Sequence, residues 1–408
     1  MGKRPAGRDS ADVVIVGAGP AGLSAAVRLA ERGVTPVVVD MSSSPTQTSN
    51  AALVHASTLE LLAELGVGDD LVSAGRKLRR IVMADRGQVL ARIDLTGIAS
   101  RYPFALGVPQ STTEEILLRR FAGLGGVVRR NHRVESLRTT ADGYRLTGTN
   151  AENSSAFELH ARYVIGADGA HSVVRAAIGV QFRGDTYPSQ FVLADVALSQ
   201  PPCADDEAAI NLSPHGVTVI GQLPGGNYRV IATVDADATV PRAPGRSFVD
   251  ALLTERDIHS HTASEAAWSS RFRVHHRVAD RFRDGDVFLV GDAAHVHSPA
   301  AGQGMNTGIA DAYDVATRLA AVVTGRAEVS VLDGYEQSRR PAAKEVVRFT
   351  DRMTRMAMLS NPIARRIRGV VLPTATRIGP IHNTITTWVT GLGRSPLRTE
   401  LPSLTGSN

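Results

Sequence analysis

The chain has one cysteine, Cys203, among its 408 residues. That excludes an intramolecular disulfide and a cysteine-rich metal site. No run of about 18 apolar residues is present to span a bilayer. No Lys/Arg cluster is interleaved with aromatics, which argues against nucleic-acid binding. No serine stands in a GxSxG setting, so hydrolase chemistry has no support. His275-His276 and His295-x-His297 lack Cys, Asp or Glu companions at ligand spacing, so no metal is expected. There is no internal repeat and no low-complexity segment. The N-terminal MGKRPAGRDSAD is polar, and the apolar run behind it is broken by glycines without a cleavage-like site. No signal peptide is expected there. The formal charge is only +5. Both signs are interspersed, as on a solvated surface.

What is present is glycine, alanine and short apolar runs, with aromatics at 5%. Small residues let helices pack close to strands, which suits α/β architecture. Residues from Ala11 to Asp40 read as one βαβ unit. DVVIVGAG is a buried strand, PAGLSAAVRLAERG an amphipathic helix closed by Gly33, and TPVVVD a second buried strand. Two short helices are expected between Ser49 and Gly75, and a hairpin over Arg79–Leu95 with its turn at Asp85-Arg86-Gly87. A helix follows Gln110, with Ser111 as N-cap and Glu114 completing a capping box. Strand-like pieces follow at Val127–Val134, Tyr144–Thr149 and Phe157–Leu159, before the apolar strand YVIGADG. From Phe182 to about Phe282, short strands and Pro/Gly turns predict an antiparallel sheet with one helix, SFVDALLTERD. Buried-strand texture returns at GDVFLVGD, and a long helix follows. The tail from Pro341 is helical, with Val346, Phe349, Met353 and Met356 as a packing stripe.

Three motifs carry chemistry. The first is Gly17-x-Gly19-Pro20-Ala21-Gly22, after a strand and opening a helix. Gly17 permits the turn, Gly19 lets the backbone approach a pyrophosphate, and Gly22 brings the helix close to the strand. Asp40 stands where a carboxylate would accept ribose hydroxyls. The second is the strand end at Asp168-Gly169, which by itself is usually a turn. The third is GDAAHVHSPAAGQGMN. Asp292 ends a buried strand, and Gly302, Gly304, Met305 and Asn306 form a glycine-rich loop at a helix start. Backbone N–H groups there suit an electron-rich heteroaromatic carbonyl.

These motifs, with VPQ at Val108–Gln110 and RRP at Arg339–Pro341, resemble the class A single-component flavoprotein monooxygenases. That group includes para-hydroxybenzoate hydroxylase, phenol-hydroxylase-like polyketide oxygenases and tetracycline-inactivating enzymes. The match runs from about Val13 to about Pro341. The resemblance implies an α/β fold. A GxGxxG Rossmann-like FAD-binding domain (residues 1–78, 96–181 and 283–340) would carry an inserted antiparallel β-sheet substrate domain (79–95 and 182–282). A C-terminal helical segment (341–408) would follow, in place of the thioredoxin-like domain of longer relatives. FAD is the implied cofactor and NAD(P)H the co-substrate. O2 and an aromatic, phenolic or polyketide-like small molecule are the other partners, with oxygen transferred through a flavin C4a hydroperoxide. The protein is expected to be cytoplasmic, a monomer or homodimer, without membrane partners.

Carried over by residue, Gly17, Gly19, Pro20, Ala21 and Gly22 would hold the pyrophosphate and Asp40 the adenosine ribose. Gln110 would meet the FAD mid-section, Val134 the adenine, and Asp292 the ribityl chain. Met305 and Asn306 would meet the isoalloxazine edge, with the Pro299 carbonyl near the reactive oxygen. Asp168 belongs to the segment that the family uses for both FAD and NAD(P)H. Three positions depart. The family often has Arg at Asn50 and Ser57 and Asn at Asp314, and the first two losses remove positive charge near the phosphates. Phe191, Leu193, Ile210, Leu212, Ile220 and Leu223 are candidates for the substrate sheet, divided by alternation between pocket and packing. Antibiotic inactivation of the tetracycline or rifamycin type is the nearest alternative, and an idle flavin-binding protein another. Flavin-dependent halogenation lacks its WxWxIP-type signature.

Overall fold

A computed structural model describes residues 10–45, 51–299, 302–357, 386–387 and 390–392. Its helices are α1 (Pro20–Glu31), α2 (Ala56–Glu64), α3 (Gly68–Ala74), α4 (Gln110–Gly123), α5 (Val173–Ala177), α6 (Arg246–Glu255), α7 (Gln303–Val323) and α8 (Asp333–Ala357). Among the described residues, none of them is long and apolar enough to cross a membrane.

The first sheet grows from Ser10–Val16, whose VVIV run is buried. Helices cover both faces of a parallel sheet, so its central strands read as continuous β-branched runs. Val37–Val39 and Ala156–Gly166 flank this strand in parallel. Val287–Leu289 continues the sheet on one side and Val128–Arg129 on the other. The two pieces expected around FELH and YVIG form one strand, Ala156–Gly166. It pairs antiparallel with Gly143–Asn150 on one edge and parallel with Ser10–Val16 on the other. α4 starts one residue before the expected cap. Pro109 occupies the N-cap position and no side-chain cap bond forms, so Ser111 is not the cap. Gln110 instead donates from Nε2 to Glu114 Oε1 at 2.9 Å.

The second sheet runs in the order His295–Val296, Trp268–Ala279, Phe182–Ser199, Asn227–Val234, Gly216–Gln222, Glu207–Ser213, Arg80–Asp85, Gln88–Asp94. The hairpin turn falls at Arg86 and Gly87, both at positive φ (49° and 75°). That matches the twist of a two-residue hairpin. The sheet is antiparallel except where Glu207–Ser213 lies parallel to Arg80–Asp85, because the hairpin arrives from a distant part of the chain. On one face, Ala194, Val196, Ala209, Ile220 and Val230 pack against Val249 and Leu253 of α6. The other face meets Leu53 and Ala105, which belong to a small third sheet of Leu53–Val54, Ala105–Gly107 and Arg76–Leu78.

α8 begins at Asp333 and runs through Pro341, so the helical tail starts earlier than the sequence suggests. Burial of Tyr335, Ala343 and Val346 holds it across the proline. Met356 departs from the expected stripe and is 52% exposed. Thr350 and Thr354 take the buried positions near that end.

Candidate cofactor and substrate site

The glycine turn is closed on one side and open on the other. Gly17 has φ +104°, and its N–H donates to the Val39 carbonyl at 2.8 Å. A Cβ at Gly17 would run into the Ala167 carbonyl, and one at Gly22 into the Gly17 carbonyl. A Cβ at Gly19 would meet nothing within 4 Å. α1 then opens on Pro20, with Gly19 as N-cap and no side-chain cap. Its first turn thus carries no side-chain cap at the positive end of the helix dipole, beside the open space at Gly19. Asp40 is pinned to this turn: Oδ2 accepts from Ala18 N at 2.6 Å and Oδ1 from Ser42 N at 2.8 Å.

The second and third motifs lock against the first. A Cβ at Gly291 would stand 3.3 Å from Ala21 Cβ, and one at Gly308 of α7 would stand 3.0 Å from Gly291 Cα. Such contacts let the loop before Asp292 approach α1. Arg175 ties Gly169's loop to the GDAA turn, donating to the Ala170 and Ala293 carbonyls at 2.8 and 2.9 Å. The Asp168 carboxylate is spent locally. It accepts from Ser172 Oγ at 2.5 Å, Val173 N at 2.7 Å and Val174 N at 3.1 Å, capping α5. Asp292 is different. Its side chain is solvent-accessible, yet it lies so deep that desolvation raises its carboxyl above the ordinary range, against the pull of His295.

Gly302, at φ +62°, is the N-cap of α7, again without a side-chain cap. Its N–H donates to the Pro299 carbonyl at 2.9 Å, so that carbonyl closes the turn. Gly304 and Met305 are half-buried at the start of α7. Asn306 faces the other way. Nδ2 donates to the Leu53 and Gly302 carbonyls at 2.9 and 2.7 Å, and Oδ1 accepts from His55 N at 2.8 Å. Its amide thus holds residues 53–55 as a wall of the site. Gln110 adjoins the same wall, its N–H donating to the Ala51 carbonyl at 3.0 Å. Val134 is buried beside the bulge between Thr147 and Gly148. Asn50 lies outside the described residues. Ser57 is buried, and its N–H donates to the Thr390 carbonyl at 3.3 Å. A Cβ at Gly391 would collide with its hydroxyl, so the C-terminal turn fills the space where the family often carries arginine. Asp314 accepts from Arg318 at 3.1 Å and Ser338 at 3.2 Å.

Sequence reasoning missed a buried hub. Asp311 of α7 accepts from Arg339 Nε at 2.8 Å and lies 2.6 Å from His295 Nε2. It also accepts from Gly291 N at 3.3 Å, directly before Asp292. All three side chains are at most 5% exposed. Burial would raise the Asp311 carboxyl, but His295 and Arg339 outweigh it and hold it below the ordinary range. The available signal was an acid on the inward face of an apolar helix, between Ile309 and Ala312.

Both uncapped helix starts, the open side of Gly19 and the accessible deep carboxylate of Asp292 suit a long anionic dinucleotide. An FAD binding domain family matches residues 10–350. A 12-dehydrotetracycline 5-monooxygenase/anhydrotetracycline 6-monooxygenase of Streptomyces rimosus is 37% identical over 83% of this chain and 68% of its own length. The chain belongs to the FAD-dependent class A aromatic hydroxylase family. Its cofactor is FAD. The 6-methylpretetramide 4-monooxygenase of the same species is 34% identical over 88% of this chain. The chain spans about two thirds of the length of these relatives, 64% and 68%. The crystal structure of a p-nitrophenol 4-monooxygenase from Pseudomonas putida superposes with a TM-score of 0.85 at 25% identity, covering 96% of this chain and 100% of that one.

The face of the second sheet away from α6 is less completely covered. Lateral register sets Met83, Ile210, Val219, Ile231 and Leu193 in one row across five strands. Ile210, Val219 and Ile231 are only half-buried, whereas Ala209, Ile220 and Val230 behind them are buried under α6. In the next row, the Phe191 and Phe272 rings stack at 5.8 Å. Of the sequence candidates, Phe191, Leu193, Ile210 and Leu212 share this face. Ile220 packs against α6, and Leu223 is buried past the strand end.

Proposed function

We propose that the chain is an NAD(P)H-consuming FAD monooxygenase that hydroxylates an aromatic, phenolic or polyketide-like small molecule. The observation that carries this reading is the half-buried apolar row of Ile210, Val219 and Ile231. A sheet face fully covered by another element of the chain would be buried like the face under α6, and this row is not. Three adjacent strands span roughly 10 Å at about 4.8 Å per strand, enough for a fused-ring system lying flat.

Bound FAD, reduced by NAD(P)H, would supply the activation of O2, one atom of which passes to the substrate while the other leaves as water. The chain's residues would bind and orient it. Gly19 and the start of α1 would face the pyrophosphate, Asp40 and Asp292 the ribose and ribityl hydroxyls. The uncapped start of α7 at Gly302–Met305 would face the electron-rich edge of the ring, where N–H dipoles favour added negative charge. Asp168, Asn306 and Asp311 would hold these segments in place. The apolar sheet face would exclude water.

Val219→Trp is the direct test of the sheet face. It fills the middle of the row without touching any cofactor segment. FAD content and NAD(P)H oxidation without substrate should stay at the wild-type level. kcat/KM for fused-ring phenols should fall about a hundredfold, equivalent to roughly 2.7 kcal/mol. Unchanged kcat/KM would remove this face from substrate binding. A smaller change addresses the wall. Asn306→Ala deletes three hydrogen bonds, each worth about 1 kcal/mol. It should raise the FAD dissociation constant in fluorescence titration while leaving far-UV circular dichroism unchanged.

A further inference from the structure

α8 turns a line of cations to the outside. Arg340, Lys344, Arg348 and Arg352 stand at four-residue intervals. Each step of that kind rises about 6 Å and drifts only about 40° around the axis. The line therefore covers roughly a third of the helix surface, with Arg355 inside the same arc. Arg348, Arg352 and Arg355 are exposed, and Arg340 and Lys344 are half-buried. The opposite arc holds the helix down, with Tyr335, Arg339, Ala343, Val346, Thr350 and Thr354 buried.

Like charges four residues apart on a helix repel, so the line lowers the stability of α8 unless acids offset it. Among the described residues, Arg355 alone of these cations is in an ion pair, 2.9 Å from Asp351. Arg340 donates to the Ala279 carbonyl at 3.3 Å, a neutral partner. Between Arg340 and Arg355 the other acid is Glu345, exposed at the rim of the arc. The net charge of +5 is small and mixed in sign along the chain, but here the fold gathers one sign on one surface. That local field, not the total, decides surface contact. It is the reason to set aside the expectation of no membrane partner.

We propose that the outer face of α8 docks on an anionic lipid surface. A protein groove grips a helix by apolar anchors at three- and four-residue spacing. Here those positions are cationic. Between the cations the arc offers Pro341 and no aromatic ring, so the bases of a nucleic acid have nothing to stack on. A convex line of evenly spaced cations fits a flat field of phosphates, where each Lys or Arg adds attraction. Met356, 52% exposed, follows at the end of the line and can enter the acyl boundary. The contact sets the aromatic end of the open sheet face close to the lipid. Asp351 joins Arg355 to Tyr187, which packs with Phe191. Fused-ring aromatics leave water for lipid, so the surface that holds the protein would also collect such molecules. Docking itself does not depend on the hydroxylase reading.

Co-sedimentation of the FAD-loaded protein with vesicles tests this, using phosphatidylcholine alone or mixed equally with phosphatidylglycerol. The wild type should bind the mixed vesicles and not the neutral ones, more weakly as salt rises. Lys344→Gln, Arg348→Gln and Arg352→Gln combined should lower the partition coefficient about a hundredfold. A matched variant, Arg92→Gln, Arg119→Gln and Arg138→Gln, removes the same charge from exposed sites elsewhere. It should bind within about threefold of the wild type. Both should keep the wild-type FAD content, and relief of repulsion should leave the α8 variant at least as stable in thermal melts. Arg348→Gln alone should weaken binding about fivefold, which keeps the test should the triple variant not fold. No binding to either vesicle, equal binding to both, or equal losses in the two triple variants would overturn docking on anionic lipid. So would binding to poly-glutamate as tight as to the mixed vesicles, which would make the occupant an acidic protein. These outcomes leave the hydroxylase reading untouched, since turnover alone decides it.

Discussion

Asp311→Ala is expected to destabilise the protein by about 3–5 kcal/mol, because it leaves a buried cation without its partner. That is a large share of a typical total of about 5–15 kcal/mol. Arg339 and His295 both lose their acceptor, and the Gly291 N–H loses its bond beside Asp292. Denaturant melts of the FAD-loaded protein would read the loss. Coupling makes the expectation sharper. Arg339→Met in the Asp311→Ala background removes the stranded charge, so the double variant should be more stable than the sum of the singles. The sign with pH follows from the lowered carboxyl of Asp311. Its stabilising contribution is complete above the ordinary carboxylate range and is lost as pH falls through the depressed folded value. Acidification should therefore narrow the gap between wild type and Asp311→Ala. An additive double variant, or a gap independent of pH, would show that the hub carries little weight.

Gly19→Asp is expected to push stability and cofactor affinity in opposite directions. The position has extended backbone, φ −75° and ψ −176°, and open space around a Cβ. A carboxylate there is a good N-cap for α1, and the cap bond together with the helix dipole should add about 0.5 kcal/mol to the apoprotein. The same carboxylate would stand where the pyrophosphate is proposed to bind, turning a favourable helix end into like-charge repulsion. FAD affinity should fall about a hundredfold or more, a loss of roughly 2.7 kcal/mol. Thermal melts of the apoprotein and flavin fluorescence titration would read the two effects separately. Unchanged affinity would mean that the phosphates lie elsewhere.

Much of the first sheet was legible because its signals are local. Strand, glycine turn and helix lie consecutively from Ser10 to Glu31, and their partner strand follows at once. Gly17 and Gly22 announce contacts that any side chain would break. The second sheet was legible as strands but not as faces. Alternation gives the parity of Ile210 and Ile220, and only the position of α6 decides which of them is covered. Side-chain commitments were equally hidden. Asp168 and Asn306 fall inside chemistry-bearing motifs, yet their polar atoms hold α5 and residues 53–55 in place. Their partners are other segments that spacing does not reveal. Ser111 lost the cap position because Pro109, with its fixed φ, already turns the chain into α4. The polar positions of α8 escaped notice because Thr350 and Thr354 interrupt an apolar stripe, and the Ser298 hydroxyl that Thr354 meets lies far away in sequence.

The central claim is that this chain uses FAD to insert one atom of O2 into an aromatic substrate laid on the open sheet face. Turnover under isotopically labelled dioxygen tests it most directly. The FAD-loaded protein, NAD(P)H and a panel of single-ring and fused-ring phenols would be incubated together and the products weighed by mass spectrometry. The account predicts substrate-stimulated NAD(P)H oxidation and a product carrying one labelled oxygen, with both lost together in Val219→Trp. An FAD-loaded protein that oxidises NAD(P)H without labelling any aromatic product, or that takes its oxygen from water, would contradict it.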